Sequence, residues 1–159
     1  EPGQPALNEI VATFGEQVLT PERRLDRARL RKRVFDDTEA RHRLEQILHP
    51  RIRATMLDRA EKSPAPYVVL VIPLLFETGQ QALVDRILLI DVPEEIQRAR
   101  VARRDRLAPA QIDAILKAQT DRNTRLREAD DVICNDGSLS GLHSAVEALH
   151  RKYLDQVQY

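Results

Sequence analysis

Apolar residues run without a polar interruption from Tyr67 to Phe76, Tyr-Val-Val-Leu-Val-Ile-Pro-Leu-Leu-Phe, and the run closes on the carboxylate of Glu77. Strands covered on both faces show continuous Val/Ile/Leu runs where half-exposed strands alternate. With helical patterns on either side, residues 68–72 are therefore expected to form a central strand of a parallel sheet. Pro73 has no amide to donate and ends the ladder. Ligands of open α/β sheets sit beyond the carboxyl ends of the strands, which makes residues 73–77 the first place to look for a substrate.

Around this run the spacing turns helical. Leu7, Ile10, Val11 and Phe14 follow Pro5 and precede Gly15, proline in the first turn and glycine at the stop, and predict a short amphipathic helix. Leu25, Ala28, Leu30, Val34 and Phe35 predict a second, whose other positions are mostly arginine. Asp36, Asp37 and Thr38 read as a stop and restart, with Thr38 the N-cap of a third helix through Leu44, Ile47 and Leu48. Pro50 removes an amide and crowds the carbonyl four residues back, so that helix is expected to end or kink near His49. A fresh helix with Ile52, Met56 and Ala60 on one face would follow, and a proline-punctuated turn at residues 63–66. Past Gly79, the sequence Ile-Leu-Leu-Ile-Asp-Val at residues 87–92 predicts a second buried strand. Pro93, Glu94 and Glu95 open a helix, with acids near the positive end of its dipole. Leu107, Ala108 and Pro109 break it, and one long helix is expected from about Ala110 to Glu128. Residues 131–134 predict a third strand, Asn135-Asp136-Gly137 a turn, and Leu142, Ala145, Val146 and Leu149 the stripe of a closing helix. The βαβ rhythm puts the chain in the α/β class.

Length and charge narrow this picture. A chain of 159 residues holds one domain with room for a small inserted lobe. Basic and acidic residues balance at 25 each, so no global field draws the protein to nucleic acid or a membrane surface. Residues 23–33 nevertheless carry seven basic groups, which read as a solvated helix face or as a face for a phosphate-rich partner. An aromatic content of 4% leaves little stacking platform for single-stranded nucleic acid. Cys134 is the only cysteine, so neither a disulfide framework nor a cysteine zinc site is available, and the cytoplasm is the expected compartment. No apolar stretch reaches the roughly 18 residues of a membrane span, and no signal-peptide pattern opens the chain.

Some residues fit poorly as pure structure. Gln97, Arg100 and Arg104 lie at i, i+3 and i+7 and share a helix face, either as a solvated arginine face or as part of a site. The next stripe runs Ile112, Ile115, Leu116 and then Gln119, Arg122 and Asn123 before Leu126, so polar groups stand where the core is expected. They cover a neighbouring lobe or face a cleft, where an anionic ligand would pair with them. His49 and Arg53 flank the expected helix break. No Ser-His-Asp order, no metal-ligand spacing and no Gly-x-x-x-x-Gly-Lys-Ser/Thr loop occurs in the sequence.

Taken in order, Glu1-Pro-Gly-Gln-Pro-Ala-Leu, Leu25-Asp-Arg, Val34-Phe, Leu44-Glu-Gln-Ile-Leu-His-Pro, Ile72-Pro-Leu-Leu-Phe-Glu, Asp91-Val-Pro, Arg104-Asp, Gln119 to Arg122, Ala129-Asp-Asp-Val-Ile and Asn135 to Gly137 resemble the dephospho-coenzyme A kinase family across essentially the whole chain. The resemblance implies a P-loop kinase fold, a three-layer parallel sheet with a helical substrate lobe (1–62), core segments (67–92 and 131–159) and a lid region (93–130). It implies transfer of the ATP γ-phosphoryl group to the ribose 3′-hydroxyl of dephospho-coenzyme A, with Mg2+. It assigns catalytic roles to Arg122 and Arg104, ATP contacts to Gln119, Arg122, Asn135 and Gly137, and substrate contacts to His49, Arg53, Pro73, Leu74, Leu75 and Glu77. It supplies no metal ligand, no catalytic base and no oligomeric state.

The family begins with a strand and a phosphate-binding loop that this sequence lacks. The chain is accordingly expected to be the C-terminal portion of a kinase, short by roughly forty residues, the length of one βαβ unit. Alone it is expected to be catalytically silent and prone to strand pairing with itself. Two other readings stay open: another small-molecule P-loop kinase, or a non-catalytic nucleotide-fold module that uses the basic face of residues 23–33.

Overall fold

The computed structural model describes residues 3–35 and 37–157, so Glu1 and Pro2 of the opening motif and Asp36 of the expected helix stop lie outside the described residues. The chain divides into two compact units, Glu1–Pro64 and Ala65–Tyr159.

The first unit is helical. Helix α1, Pro5–Phe14, ends at Gly15, whose φ of +83° is open to glycine at little cost and where a Cβ would strike the Gln17 side chain. A short 3-10 turn follows, and then α2, Arg27–Phe35, and α3, Thr38–Glu61. Ile10, Phe14, Val18, Leu30 and Ala40 form the buried core, with Val11, Leu25, Leu44, Ile47 and Leu48 packed on it. Asp26 Oδ1 accepts the Ala28 and Arg29 amides at 3.1 and 3.0 Å and so caps α2. At α3 the cap is Asp37, not Thr38: its Oδ1 accepts the Ala40 amide at 2.9 Å.

The helix does not end at His49-Pro50 and no fresh helix starts there: α3 runs through Pro50. An interior proline costs about 3 kcal/mol, a sum that packing of Ala40, Leu44, Ile47 and Leu48 into the core can offset. Beside the missing amide, Arg51 Nη1 donates to the Ile47 carbonyl at 2.9 Å while its Nη2 reaches Glu9 of α1 at 2.5 Å.

The second unit holds the sheet. Strands β1, Leu88–Asp91, and β2, Asp131–Cys134, are parallel, with Leu88 opposite Asp131 and Asp91 opposite Cys134. Between them come α4, Glu94–Asp105, α5, Pro109–Lys117, and α6, Arg122–Glu128; α7, Leu139–Val157, closes the chain. Three sequence expectations need correction here. Residues 68–72 form no strand among the described residues, and Val69 and Val71 are 61% and 83% exposed. Apolar composition states a preference for burial, whereas a strand also needs a partner backbone, and β1 and β2 pair with each other. Strand β1 is likewise not buried throughout: Asp91 is covered and Ile90 is 49% exposed. Finally, the expected helix 110–128 is two helices, since α5 ends at Lys117 and Asp121 caps α6 by accepting the Thr124 amide at 2.9 Å. An aspartate that can cap offers the chain a restart as good as continuation.

Beneath β2 a buried carboxylate gathers three donors. Asp131 Oδ2 accepts Arg86 Nε and Nη2 at 3.1 and 3.0 Å and the Tyr153 hydroxyl at 2.9 Å, and Lys152 Nζ bonds its Oδ1. Burial pushes the Tyr153 phenol up to about 12, helped by Asp131. This network fastens α7 to the sheet.

Candidate active site

Asp91 is the last residue of β1, at the carboxyl end of the sheet where α/β ligand sites form. Its side chain is buried, and a lone buried carboxylate is expensive. The partner comes from the first position of α6: Arg122 donates Nε to Asp91 Oδ1 at 2.9 Å and Nη2 to Oδ2 at 2.5 Å, a bidentate pair. Arg122's hydrogen bonds hold the Asp91 carboxyl below its usual range, against the pull of burial. A cation at a helix N-terminus opposes the dipole, so the pair also offsets a local penalty in α6. No other hydrogen bond of this guanidinium is made among the described residues, which leaves Nη1 with both protons to offer.

Glu77 arrives from the other side. Residues 74–80 are wound into a tight turn, Thr78 N donating to Leu74 O at 3.0 Å and Gln80 N to Leu75 O at 3.0 Å. From it Glu77 Oε1 accepts the Thr120 amide at 2.6 Å. Partial burial pulls the Glu77 carboxyl up, but the Thr120 amide and the charge of Arg125 bring it below its usual value. Arg125, one turn after Arg122, also lowers Asp91, and its buried Nε has no hydrogen-bond partner among the described residues. The segment carrying Gln119, Thr120 and Arg122 is thus fastened by two carboxylates from different parts of the chain.

Beside it, α4 and α5 enclose a cavity of about 380 Å³. Val101, Ile112, Ile115 and Leu116 supply apolar wall; Gln97, Gln119, Arg100 and Arg104 supply the polar groups. That mixture is typical of small-molecule sites. The two helices are clamped by Arg98, which bonds Glu94 at 2.6 Å and also Asp113 of α5. Arg100 Nη1 donates to Asn135 O at 2.8 Å, while Asn135 N donates to Asp91 O at 2.7 Å, so the turn after β2 is tied to both α4 and β1. Arg104 is 76% exposed and forms a bidentate pair with Asp105, Nε and Nη2 each at 2.8 Å. Gly137 lies in the same turn, where a Cβ would meet nothing within 4 Å, so sterics alone do not demand glycine there.

The structure therefore brings together Gln119 and Arg104 on the cavity wall, and joins Arg122 and Asn135 through Asp91. Pro73, Leu74 and Leu75 lie in the turned segment that presents Glu77. His49 and Arg53 are exposed one helical turn apart on α3 of the first unit, and Arg53 makes no ion pair among the described residues. Asp91 and Arg125 have no role assigned from the sequence, whereas Arg100 belongs to the face expected to be solvated or part of a site, and it lines the cavity. Asp91 was findable as a charge closing an apolar strand pattern; the reach of Arg100 to a backbone carbonyl has no sequence signal.

A family model described as dephospho-CoA kinase matches residues 1–141. The chain is 51% identical over 154 residues to the dephospho-CoA kinase of Thiobacillus denitrificans, covering 96% of this chain and 76% of that protein. To the dephospho-CoA kinase of Methylococcus capsulatus it is 48% identical over 153 residues, covering 96% and 77%. Among solved structures it resembles a Thermus thermophilus protein with a TM-score of 0.74 and 32% identity, covering 91% and 75% of the two chains. It also resembles the dephospho-CoA kinase of Campylobacter jejuni with a TM-score of 0.67 and 29% identity, covering 96% and 78%.

Proposed function

Because this chain belongs to the dephospho-CoA kinase family, of P-loop kinase fold, which uses ATP to phosphorylate an alcohol group in the last step of coenzyme A biosynthesis, we propose that the transferred phosphoryl group is met by the Arg122 guanidinium at the end of β1. The observation that carries this reading is the bidentate pair between the buried Asp91 carboxylate and the partly exposed Arg122 guanidinium, next to the cavity between α4 and α5. Phosphoryl transfer depends mainly on positioning and on neutralising charge that spreads over the transferred oxygens. A guanidinium already fixed by two hydrogen bonds offers its remaining N–H groups without reorganising as that charge develops. Gln119 and Arg104, on the cavity wall, are assigned to the ATP side, with Asn135 and Gly137 in the turn beside them. The acceptor is assigned to Pro73, Leu74 and Leu75 at the turned segment, with Glu77 at its end, and to His49 and Arg53 of the first unit.

Magnesium is the expected companion of ATP. The described residues do not fit a dedicated protein cage for it: no group of three or more His, Cys, Asp or Glu side chains converges among them, and the carboxylate at the site is engaged by Arg122. Mg2+ in kinases is held largely by phosphate oxygens and water, with one or two carboxylates. No helix of the described residues is long and apolar enough to cross a membrane, and Cys134 is a free thiol, in keeping with the cytoplasm as the compartment.

The test is product analysis. The full-length enzyme, incubated with ATP, Mg2+ and dephospho-coenzyme A, is expected to add one phosphate at the ribose 3′-hydroxyl, read by mass spectrometry and phosphorus NMR, and to stop when the metal is chelated. Transfer to a nucleoside monophosphate in preference to dephospho-coenzyme A would make the acceptor assignment wrong.

A further inference from the structure

Arg122 is easy to misread as a freely moving lid group. It begins a helix of only two turns, and helices this short have little stability of their own. What fixes it is outside the helix. From below, the Asp91 carboxylate grips Nε and Nη2; from the side, Glu77 takes the backbone amide of Thr120, two residues earlier. Backbone and guanidinium of one short segment are thereby held by two acids that are 14 positions apart in sequence and sit on different elements, a turn and a strand end.

We propose that Asp91 and Glu77 are positioning residues for the phosphoryl-transfer step, setting where the Arg122 guanidinium stands. This rests on the reading that Arg122 meets the transferred group. Asp91 does so through the side chain, by leaving Nη1 as the one nitrogen of Arg122 with both protons uncommitted, and thus fixing the direction in which charge is offered. Glu77 does so through the backbone, by setting the height at which α6 starts. The two act in series, since a correctly placed helix is of no use with a guanidinium that swings, and the reverse. Neither acid needs to touch ATP. Arg125 reinforces the arrangement: its charge lowers the carboxyls of both Asp91 and Glu77 and so favours the ionised forms that hold the segment. Asp91 is also locked from behind, because its own carbonyl accepts the Asn135 amide and extends the sheet by one rung.

The experiment is a double-mutant cycle in the full-length enzyme with ATP and dephospho-coenzyme A. Asp91→Asn, which keeps the shape and removes the charge, should lower kcat roughly tenfold, as misplacement of a catalytic group does, with the KM of each substrate within about threefold of wild type. In an Arg122→Ala background the same substitution should add less than about twofold, because nothing is left to position. Glu77→Ala should lower kcat about threefold while Arg122 is present and less than about twofold in the Arg122→Ala background, a rise in the KM for dephospho-coenzyme A reporting its place beside the acceptor separately, and this arm carries the test should Asp91→Asn not fold. Undiminished kcat in either single variant, or losses that multiply with Arg122→Ala, would overturn the proposal. A normal kcat in Arg122→Ala alone would instead mean that the reading of Arg122 has failed.

Discussion

Asp131 and Asp91 are buried carboxylates whose partners dictate how they titrate. Burial alone would raise the Asp131 carboxyl, but bonds from Lys152, Tyr153 and Arg86 outweigh it and hold it below its ordinary value of 3.8. A carboxyl whose folded value is depressed stabilises the fold above its unfolded value and loses that contribution as pH falls through the folded one. The protein should therefore lose stability from about pH 5 downward, and Asp131→Asn should flatten this part of the curve. At neutral pH the same variant should be less stable by about 2–3 kcal/mol, the scale of one bond to a charged group, since Arg86 and Lys152 are partly exposed and regain water. Thermal midpoints of the two proteins measured from about pH 7 to about pH 3 check both parts. An acid limb identical in the variant would place the titrating group elsewhere.

Elements were legible in the sequence where local signals agreed. Pro5 and Gly15 bracket α1 as expected, and residues 131–134 form β2 within the expected bounds. The reading went wrong where a nonlocal term decided. Pro50 argues for a break, yet α3 continues, with the turns before the proline, Ala40, Leu44, Ile47 and Leu48, packed into the core. Residues 68–72 have the composition of a strand and no partner among the described residues. The stripe from Ile112 through Arg122 suggested one helix face, while the cap at Asp121 divides it into two. For the site, Gln119 and Arg122 stood out because they interrupted that stripe, and this signal survives the division. Asp91 carried a weaker signal, a charge closing an apolar strand pattern, and its partner on a helix 31 positions later is not readable from the sequence. If Pro50 is tolerated and not required, Pro50→Ala restores a helix amide and should raise the thermal midpoint, by up to about 3 kcal/mol of stability. A lower midpoint would show that the proline geometry is itself needed by the packing of α3.

At the scale of the whole molecule, the two units have different composition and different work in the proposed reaction: a helical unit with an exposed His49 and Arg53, and a sheet unit whose strand end carries the paired Arg122. The charge balance of the chain means that attraction for a polyanionic substrate must come from such local groups. The account depends most on Arg122 acting on charge that develops during transfer, as distinct from charge already present on bound ATP. Interactions stronger in the transition state than in the ground state appear in the rate of the chemical step and not in substrate affinity. The direct measurement is the single-turnover rate of phosphoryl transfer from ATP to saturating dephospho-coenzyme A in the full-length enzyme and its Arg122→Ala variant, with the ATP dissociation constant measured alongside. The account predicts a rate about a hundredfold lower with the dissociation constant changed less than about threefold. An unchanged rate, or a loss confined to ATP affinity, would contradict it.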